Sequence, residues 1–175
     1  SALSLRPSAF NLRPSAFIFY PAPRSFPVSP ISAPALMSAD LDYRPSYLAA
    51  TIAAGLTFLL YLITLSPETA MWDTSEYIAT AHILGIPHPP GNPLFVLLAR
   101  TADILLSPFG LSTAVRINLF SALMSATAHG LWFLLVHHVL RYFSDDRRMR
   151  LAGAFAAVLV SATAFTVWNQ SNVNE

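Results

Sequence analysis

Residues 71–77 read MWDTSEY, and residues 85–94 read GIPHPPGNPL. Together they make up a long, polar and proline-rich interval within an otherwise apolar region. Two carboxylates, Asp73 and Glu76, follow an apolar run, and a proline-flanked turn then carries His88. Because apolar segments flank the interval, its polar groups are expected at a membrane surface, where ionisable residues are functional candidates.

The composition places the chain in the membrane class. Of its 175 residues, 54% are hydrophobic and 11% are charged, whereas soluble domains carry about 25% charged residues. The formal net charge of +1 gives no argument for nucleic-acid binding. The sequence contains no cysteine, which excludes disulfides, thiolate chemistry and cysteine-ligated zinc. The long apolar runs predict an all-α integral membrane protein.

Residues 1–39 differ in composition from the rest of the chain. They are rich in proline and serine, repeat the sequence LRPSAF and contain no acidic residue before Asp40. Proline at this density does not sustain a helix or a central strand, so we expect a disordered extension. The preferred interpretation is sequence upstream of a natural start at Met37, and a targeting peptide is the alternative.

The remainder, residues 40–175, is expected to form one membrane domain. Its apolar runs predict three transmembrane helices, at about residues 47–65, 118–140 and 151–168. The polar interval predicts two juxtamembrane helices, at about residues 74–84 and 93–107. The second is short for a crossing and carries Arg100 and Asp103 on one face. It is therefore expected to lie in the membrane interface.

Local signals predict the ends of the two juxtamembrane helices. Asp73 and Glu76 have the spacing of a capping box. Gly85 suits the left-handed position after the first helix. Asn92 is expected to cap the second helix, with Pro93 at its first position.

The distribution of arginine predicts the topology. Four arginines lie in residues 141–150, so this loop is expected in the cytoplasm. With three spans, loop 66–92 and tail 169–175 then face outside together. The polar residues that this arrangement brings to one membrane face are Asp73, Glu76, His88, Asn174 and Glu175.

Several sequence blocks resemble the protein O-mannosyltransferase-like family of integral membrane proteins. The blocks are LSP at 65–67, WDTSEY at 72–77, LGIPHPPGNPL at 84–94, RINLFSA at 116–122, and WNQS at 168–171 with Glu175. The similarity covers about residues 56–175, the N-terminal part of that family's domain. The resemblance implies the N-terminal part of a GT-C glycosyltransferase fold, in which three transmembrane helices accompany an outward loop with juxtamembrane helices.

The resemblance also implies a reaction. Such enzymes transfer a sugar, here expected to be mannose, from a polyprenyl-phosphate donor to a protein or glycan hydroxyl at the outer or lumenal face. The essential aspartate of the family's first outward loop matches Asp73. The expected partners are the lipid bilayer, the lipid-linked donor and the acceptor, in a bacterial inner membrane or the endoplasmic reticulum membrane.

The side chains suit this chemistry. A hydroxyl is a poor nucleophile, so a carboxylate that removes its proton helps attack, and Asp73 is the predicted base. Glu76, one helical turn away, is the second predicted catalytic residue and is expected to strengthen this base by like-charge repulsion. Binding of donor and acceptor is assigned to His88, Arg100, Arg116 and Glu175, with the arginines facing the leaving phosphate. No metal site is assigned, although a divalent cation between Asp73 and Glu175 is compatible with the residues.

Structural interpretations stand beside these assignments. Each of these residues is also open to a purely structural role. Asp73 and Glu76 could form only a capping box, His88 could be a turn residue, and Arg100 could form only an ion pair with Asp103. His129, His137 and His138 are expected to pack or snorkel. The alternative functions are a transporter and a non-catalytic membrane scaffold. Carboxylates at a membrane surface favour the enzyme, because transporters place such groups near the bilayer midplane.

Overall fold

The computed structural model describes residues 43–69 and 73–173, and within these ranges the regular structure is helical. Its helices are α1 (Tyr47–Ile63), α2 (Thr74–Ile83), α3 (Pro93–Leu106), α4 (Thr113–Leu140), α5 (Arg147–Thr163) and α6 (Phe165–Asn172), with a short 3₁₀ turn at Ser107–Phe109 after α3. The predicted extension of residues 1–39 and the predicted site residue Glu175 lie outside the described residues.

Helix α4 is the centre of the fold, because each of the other five helices packs against it. Helix α1 runs antiparallel to α4: Ala50 and Ala53 pack with Phe133 at one end, and Tyr61 packs with Ala122 nearer the other. Helices α2 and α3 pack at the beginning of α4, around the buried Ile117. The alanines at these contacts let the helix backbones approach closely, as is common between membrane helices.

The helix lengths define which segments are able to cross a bilayer. Among the helices of the described ranges, α4 alone is long and apolar enough, with 28 residues and a length of about 42 Å. Helices α5 and α6 satisfy the same test only as a pair, and they are bent by 66°. Helix α1 is apolar but has 17 residues.

The predicted third span, 151–168, crosses this bend, so two helices stand where the apolar run predicted one span. Ala164 has φ −58° and ψ 127°, which takes the backbone out of the helical conformation. Polar contacts at the far end of α6 hold the new direction: Trp168 Nε1 and Asn172 Nδ2 both donate to Thr64 Oγ1, at 3.1 Å. The sequence contains no glycine or proline at this position to signal the break.

A buried amide fixes the chain that leaves α1. Asn118 of α4 is fully buried, and its Nδ2 donates to the carbonyl oxygens of Ser66 at 3.1 Å and Glu68 at 3.2 Å. The Ser66 N–H donates in turn to the Asn172 carbonyl oxygen at 3.2 Å. These bonds satisfy backbone groups that would be costly to bury alone, and they hold the beginning of the polar loop against α4.

The histidines of α4 have the expected packing roles. His129 is buried, with Nδ1 2.8 Å from the Ser125 carbonyl oxygen and Nε2 3.2 Å from Ser161 Oγ of α5. His137 is also buried and stacks on Phe133, with ring centroids 6.1 Å apart. Both side chains contribute to the interior of the helix bundle.

The predicted helix-end contacts are wrong, although α2 and α3 begin and end within a residue of the expected positions. Asp73 occupies the N-cap position of α2, but its side chain accepts no capping hydrogen bond. The left-handed residue after α2 is Leu84, with φ 55°, rather than Gly85. Asn92 precedes α3 with φ 33°, and its side chain does not cap that helix. The side chains of Glu76 and Asn92 instead bind residues farther along the chain, His88 and Tyr77.

Substituting Gly130 with alanine is expected to destabilise the contact between α1 and α4. A Cβ atom at Gly130 would lie 3.0 Å from Ala54 Cβ and 3.3 Å from the Ala50 carbonyl oxygen. Overpacking of this kind costs about 1–3 kcal/mol, against a helix-propensity gain of up to about 1 kcal/mol. The matched control is Gly55→Ala on α1, where a Cβ meets nothing within 4 Å. Thermal unfolding in micelles should show a lower Tm for Gly130→Ala than for Gly55→Ala; equal values would contradict the described packing.

Single-cysteine labelling is expected to place residues 75 and 145 on opposite membrane sides. The chain lacks native cysteine, and both Ser75 and Asp145 are exposed. Only α4 is expected to cross between them, because α3 has 14 residues and about 20 are needed to span. Ser75→Cys and Asp145→Cys should therefore react with an impermeant maleimide from different sides of sealed vesicles. Reaction of both from one side would rule out this topology.

Candidate functional site: a carboxylate–histidine cluster

Asp73, Glu76 and His88 meet at the beginning of α2, and we call them the carboxylate–histidine cluster. Glu76 lies in the first turn of α2, and the proline-rich turn brings His88 back to it. The His88 backbone N–H donates to Glu76 Oε1 at 2.6 Å, and His88 Nδ1 lies 3.0 Å from Glu76 Oε2. His88 Nε2 lies 3.6 Å from Asp73 Oδ2. One imidazole therefore faces both predicted catalytic carboxylates.

The contacts set the protonation of the cluster. An ionised carboxylate only accepts hydrogen bonds, so His88 Nδ1 carries a proton towards Glu76. The hydrogen bonds from the His88 backbone and then its side chain lower the pKa of Glu76. The hydrogen bond to Glu76, with the charge of Asp73, raises the pKa of His88. A protonated His88 offsets the like-charge repulsion between Asp73 and Glu76, and the expectation that Glu76 strengthens the base by repulsion stays a prediction.

The same three side chains could hold a metal ion. Each offers one ligand atom, and the three atoms lie within 4.8 Å of one another. A metal ion would have to replace the proton on His88, since ligands bind in their deprotonated form. Spacing in the sequence did not reveal this set, because His88 reaches the two carboxylates through the turn after α2. The predicted cation partner Glu175 lies outside the described residues.

Tyr77 and Asn92, which are not among the predicted site residues, support the cluster. Asn92 Nδ2 donates to the Tyr77 hydroxyl at 2.6 Å. The Tyr77 ring contacts the His88 ring edge to face at 6.0 Å between centroids, and contacts Phe95 of α3 at 5.5 Å. Tyr77 thus connects α2, the proline-rich turn and α3, and it limits where His88 can lie.

A mostly apolar groove begins beside these residues. It has a volume of about 690 Å³ and lies between α3, α4 and α6. Residues that line it include Asn92, Phe95, Leu98, Phe120, Met124 and Ser171. Pockets of this size hold small-molecule ligands or cofactors. Because Asn92 and Phe95 also contact Tyr77, the groove and the carboxylate–histidine cluster share a wall.

The two predicted arginines belong to a different group, which we call the Asp103 cluster. Asp103 is buried and forms ion pairs with Arg100 of its own helix at 2.9 Å and with Arg116 of α4 at 3.1 Å. His82 Nδ1 of α2 lies 2.8 Å from Asp103 Oδ2. His82 follows Asp73 by nine residues, about 13 Å along the axis of α2. The predicted site residues thus form two groups, and sequence spacing indicated only the Arg100–Asp103 pair.

Comparison with known proteins identifies the family. The family model described as "Protein O-mannosyl-transferase TMEM260 N-terminal domain" matches residues 73–175, more than half of the chain. The chain belongs to this family. The match begins at Asp73, the first residue of the carboxylate–histidine cluster, and it confirms the resemblance inferred from the sequence blocks.

Two curated members of the TMEM260 family show the extent of the similarity. The mouse protein O-mannosyl-transferase TMEM260 is 38% identical over 107 residues, which are 61% of this chain and 13% of the relative. The Dictyostelium discoideum protein O-mannosyl-transferase tmem260 is 32% identical over 79 residues, 45% of this chain and 10% of the relative. The chain therefore spans a small part of the length of these relatives. No solved structure matches it.

Replacing Glu76 with glutamine is expected to lower the pKa of His88, because the neutral amide removes the charge that favours the imidazolium.

The contact between Glu76 and His88 is also expected to depend on pH. The contribution of His88 to stability is fully present below its ordinary pKa of 6.5 and is lost as pH rises through its raised pKa. The contribution of Glu76 to stability is fully present above its ordinary pKa of 4.5 and is lost as pH falls through its lowered pKa. The turn should thus be held most firmly between about pH 4.5 and 6.5.

The measurement is histidine titration by NMR in micelles, with wild type and Glu76→Gln compared. The matched control is Glu68→Gln, which removes an equal charge from the exposed part of the same loop. An unchanged His88 titration in Glu76→Gln would show that the two side chains do not interact in solution.

Proposed function

We propose that this chain is the N-terminal part of a membrane glycosyltransferase of GT-C type. It would move mannose from a polyprenyl-phosphate donor to a hydroxyl of a protein or glycan, at the outer or lumenal face of a multi-pass membrane domain with three spans. The observation that carries the proposal is the carboxylate–histidine cluster, at the beginning of the segment that matches a family whose curated relatives are named protein O-mannosyl-transferase.

Asp73 is the base in this proposal. Its carboxylate is exposed, so an acceptor hydroxyl can approach it. As the hydroxyl oxygen attacks the anomeric carbon, the proton passes to Asp73, the bond from that carbon to the phosphate oxygen breaks, and polyprenyl phosphate leaves. A positioned base contributes typically about 10²–10⁴-fold to such a step.

Glu76 acts through His88. Its two carboxylate oxygens bind the backbone and the ring of His88, which directs Nε2 towards Asp73. The His88 ring lies beside Asp73, with Nε2 3.6 Å from Asp73 Oδ2, where an incoming hydroxyl would bind. Glu76 is therefore the positioning residue of the cluster, and His88 is its contact with the acceptor.

The donor is proposed to lie along the apolar groove. The groove shares Asn92 and Phe95 with the surroundings of the cluster, so an isoprenoid chain in it would present its phosphate near Asp73. Arg100 and Arg116 add positive charge at the beginning of α4, which attracts the donor phosphate. Glu175 completes the proposed set as a further binding residue.

Asp73→Asn in the full-length protein is expected to reduce sugar transfer by at least roughly a hundredfold. The amide cannot take the proton of the acceptor at neutral pH. Asn has nearly the same shape, and the Asp73 side chain makes no capping hydrogen bond, so expression and stability should be unchanged. The assay is transfer from a polyprenyl-phosphate mannose donor to an acceptor in membranes.

The matched control is Asp145→Asn, which removes an exposed carboxylate from the loop between α4 and α5. It should leave transfer unchanged. Near-normal transfer by Asp73→Asn would show that Asp73 is not the base and would make Glu76 or Glu175 the next candidate. If the full-length wild type transfers no sugar from any polyprenyl-phosphate donor, the proposed reaction itself is ruled out.

A further inference from the structure

The Asp103 cluster places three basic side chains around one buried carboxylate. Asp103 is 1% exposed, and a carboxylate buried in this way needs a cation and hydrogen bonds to compensate for lost hydration. Arg116 supplies a cation beside Oδ1: its Nε lies 3.1 Å from that oxygen, and its Nη1 donates to the Asp103 carbonyl oxygen at 2.9 Å. Its Nη2 donates to Thr113 Oγ1 at 3.0 Å. The hydrogen bonds to the carboxylate itself are made at Oδ2, by Arg100 and His82.

Arg100 and His82 are the members of the cluster that reach the surface. The Arg100 side chain is 30% exposed and the His82 side chain 48% exposed. Arg100 Nη1 and His82 Nδ1 bind the same oxygen, Asp103 Oδ2, at 2.9 Å and 2.8 Å. The buried carboxylate thus holds two basic side chains side by side, with Nη1 and Nδ1 3.4 Å apart.

The remaining donors of these two groups point away from Asp103. Nδ1 of His82 carries its proton towards the carboxylate, which leaves Nε2 on the opposite side of the ring. Arg100 uses one Nη atom on Asp103 and retains Nε and Nη2. Within residues 43–69 and 73–173, neither His82 Nε2 nor these two Arg100 nitrogens have a hydrogen-bond partner. Two neighbouring basic side chains with nitrogens not used inside the protein suit an oxyanion, and guanidinium groups match phosphate geometry.

The surroundings of the pair are apolar and lie at one end of α4. Arg116 is in the first turn of α4, whose length of about 42 Å exceeds the hydrocarbon thickness of about 30 Å. The Asp103 cluster therefore lies at headgroup level if α4 crosses the bilayer. Exposed apolar side chains flank the pair: Leu97 and Ile104 beside Arg100, and Ile83, Leu84 and Ile86 at and after the end of α2.

We propose that His82 and Arg100 bind the phosphate of a bilayer lipid headgroup, with Asp103 as the positioning residue and the flanking leucines and isoleucines in contact with the acyl region. The site is separate from the carboxylate–histidine cluster, about 13 Å away along α2, and it does not depend on the proposed transfer reaction. It anchors the α2–α3 hairpin on the membrane surface. A soluble phosphate would explain the donors but not the apolar border, which favours a lipid.

The test is native mass spectrometry of the chain from an uncharged maltoside detergent, with phosphatidylglycerol or the phosphate-free digalactosyldiacylglycerol added. Wild type should retain phosphatidylglycerol in preference to digalactosyldiacylglycerol. His82→Gln and Arg100→Gln should each lower its occupancy about fivefold, the effect of one basic group near a membrane surface. The matched control is Arg148→Gln, an exposed arginine outside the cluster, which should change nothing. Arg100→Lys keeps the charge and should retain most of the binding.

A second measurement needs no substitution. Hydrogen exchange of residues 82–86 and 97–104 in wild-type nanodiscs should slow when phosphatidylglycerol replaces the galactolipid. Equal retention of the two lipids, or equal loss in Arg100→Gln and Arg148→Gln, would overturn the proposal. Displacement of the lipid by millimolar inorganic phosphate would show a site for a soluble oxyanion. Binding of polyprenyl phosphate to the exclusion of phosphatidylglycerol would assign the site to the donor.

Discussion

The buried carboxylate of Asp103 is the constraint on which the arrangement of α2, α3 and α4 depends. An unpaired charge in this position would cost several kcal/mol, so the three helices must bring cations to one place. Arg116 comes from α4, Arg100 from α3 and His82 from α2. Satisfying this one side chain therefore fixes where α2 ends and how it is oriented on the central helix.

The other end of α2 is held in a different way. There the glutamate binds a histidine that returns through the proline-rich turn, and the histidine faces the exposed aspartate at 3.6 Å. The two ends of α2 thus differ in chemical character, since one exposes carboxylates and the other lies beside the partly exposed basic side chains of Arg100 and His82. The first is suited to taking a proton from a hydroxyl, and the second to holding an anion, while the helix between them keeps the two apart.

The sequence predicted what depends on local chemistry and missed what depends on distant partners. Composition and apolar runs identified the helical class and the segments of α1 and α4, and the turn signals of the polar interval identified α2 and α3, because all of these are local properties. Asp73 makes no capping bond because its backbone is helical, with φ −82° and ψ −1°, where a capping residue is usually extended. The Asn92 side chain instead binds Tyr77, 15 residues away. The bend at Ala164 and the contact of His82 with Asp103 arise from packing between helices, so no local pattern signals them. The family resemblance supplied the role proposed for Asp73, which chemistry alone left open.

The amide of Asn118 couples the bilayer to the chain that leads to Asp73. This side chain belongs to α4 and holds the carbonyl oxygens of Ser66 and Glu68, so α4 and the beginning of the polar loop move as one body. A helix longer than the hydrocarbon layer adjusts to it by tilting. In the proposed membrane placement, thickening or thinning of the bilayer changes the tilt of α4 and carries the loop with it. Lipid composition would then affect the position of Asp73, the proposed base.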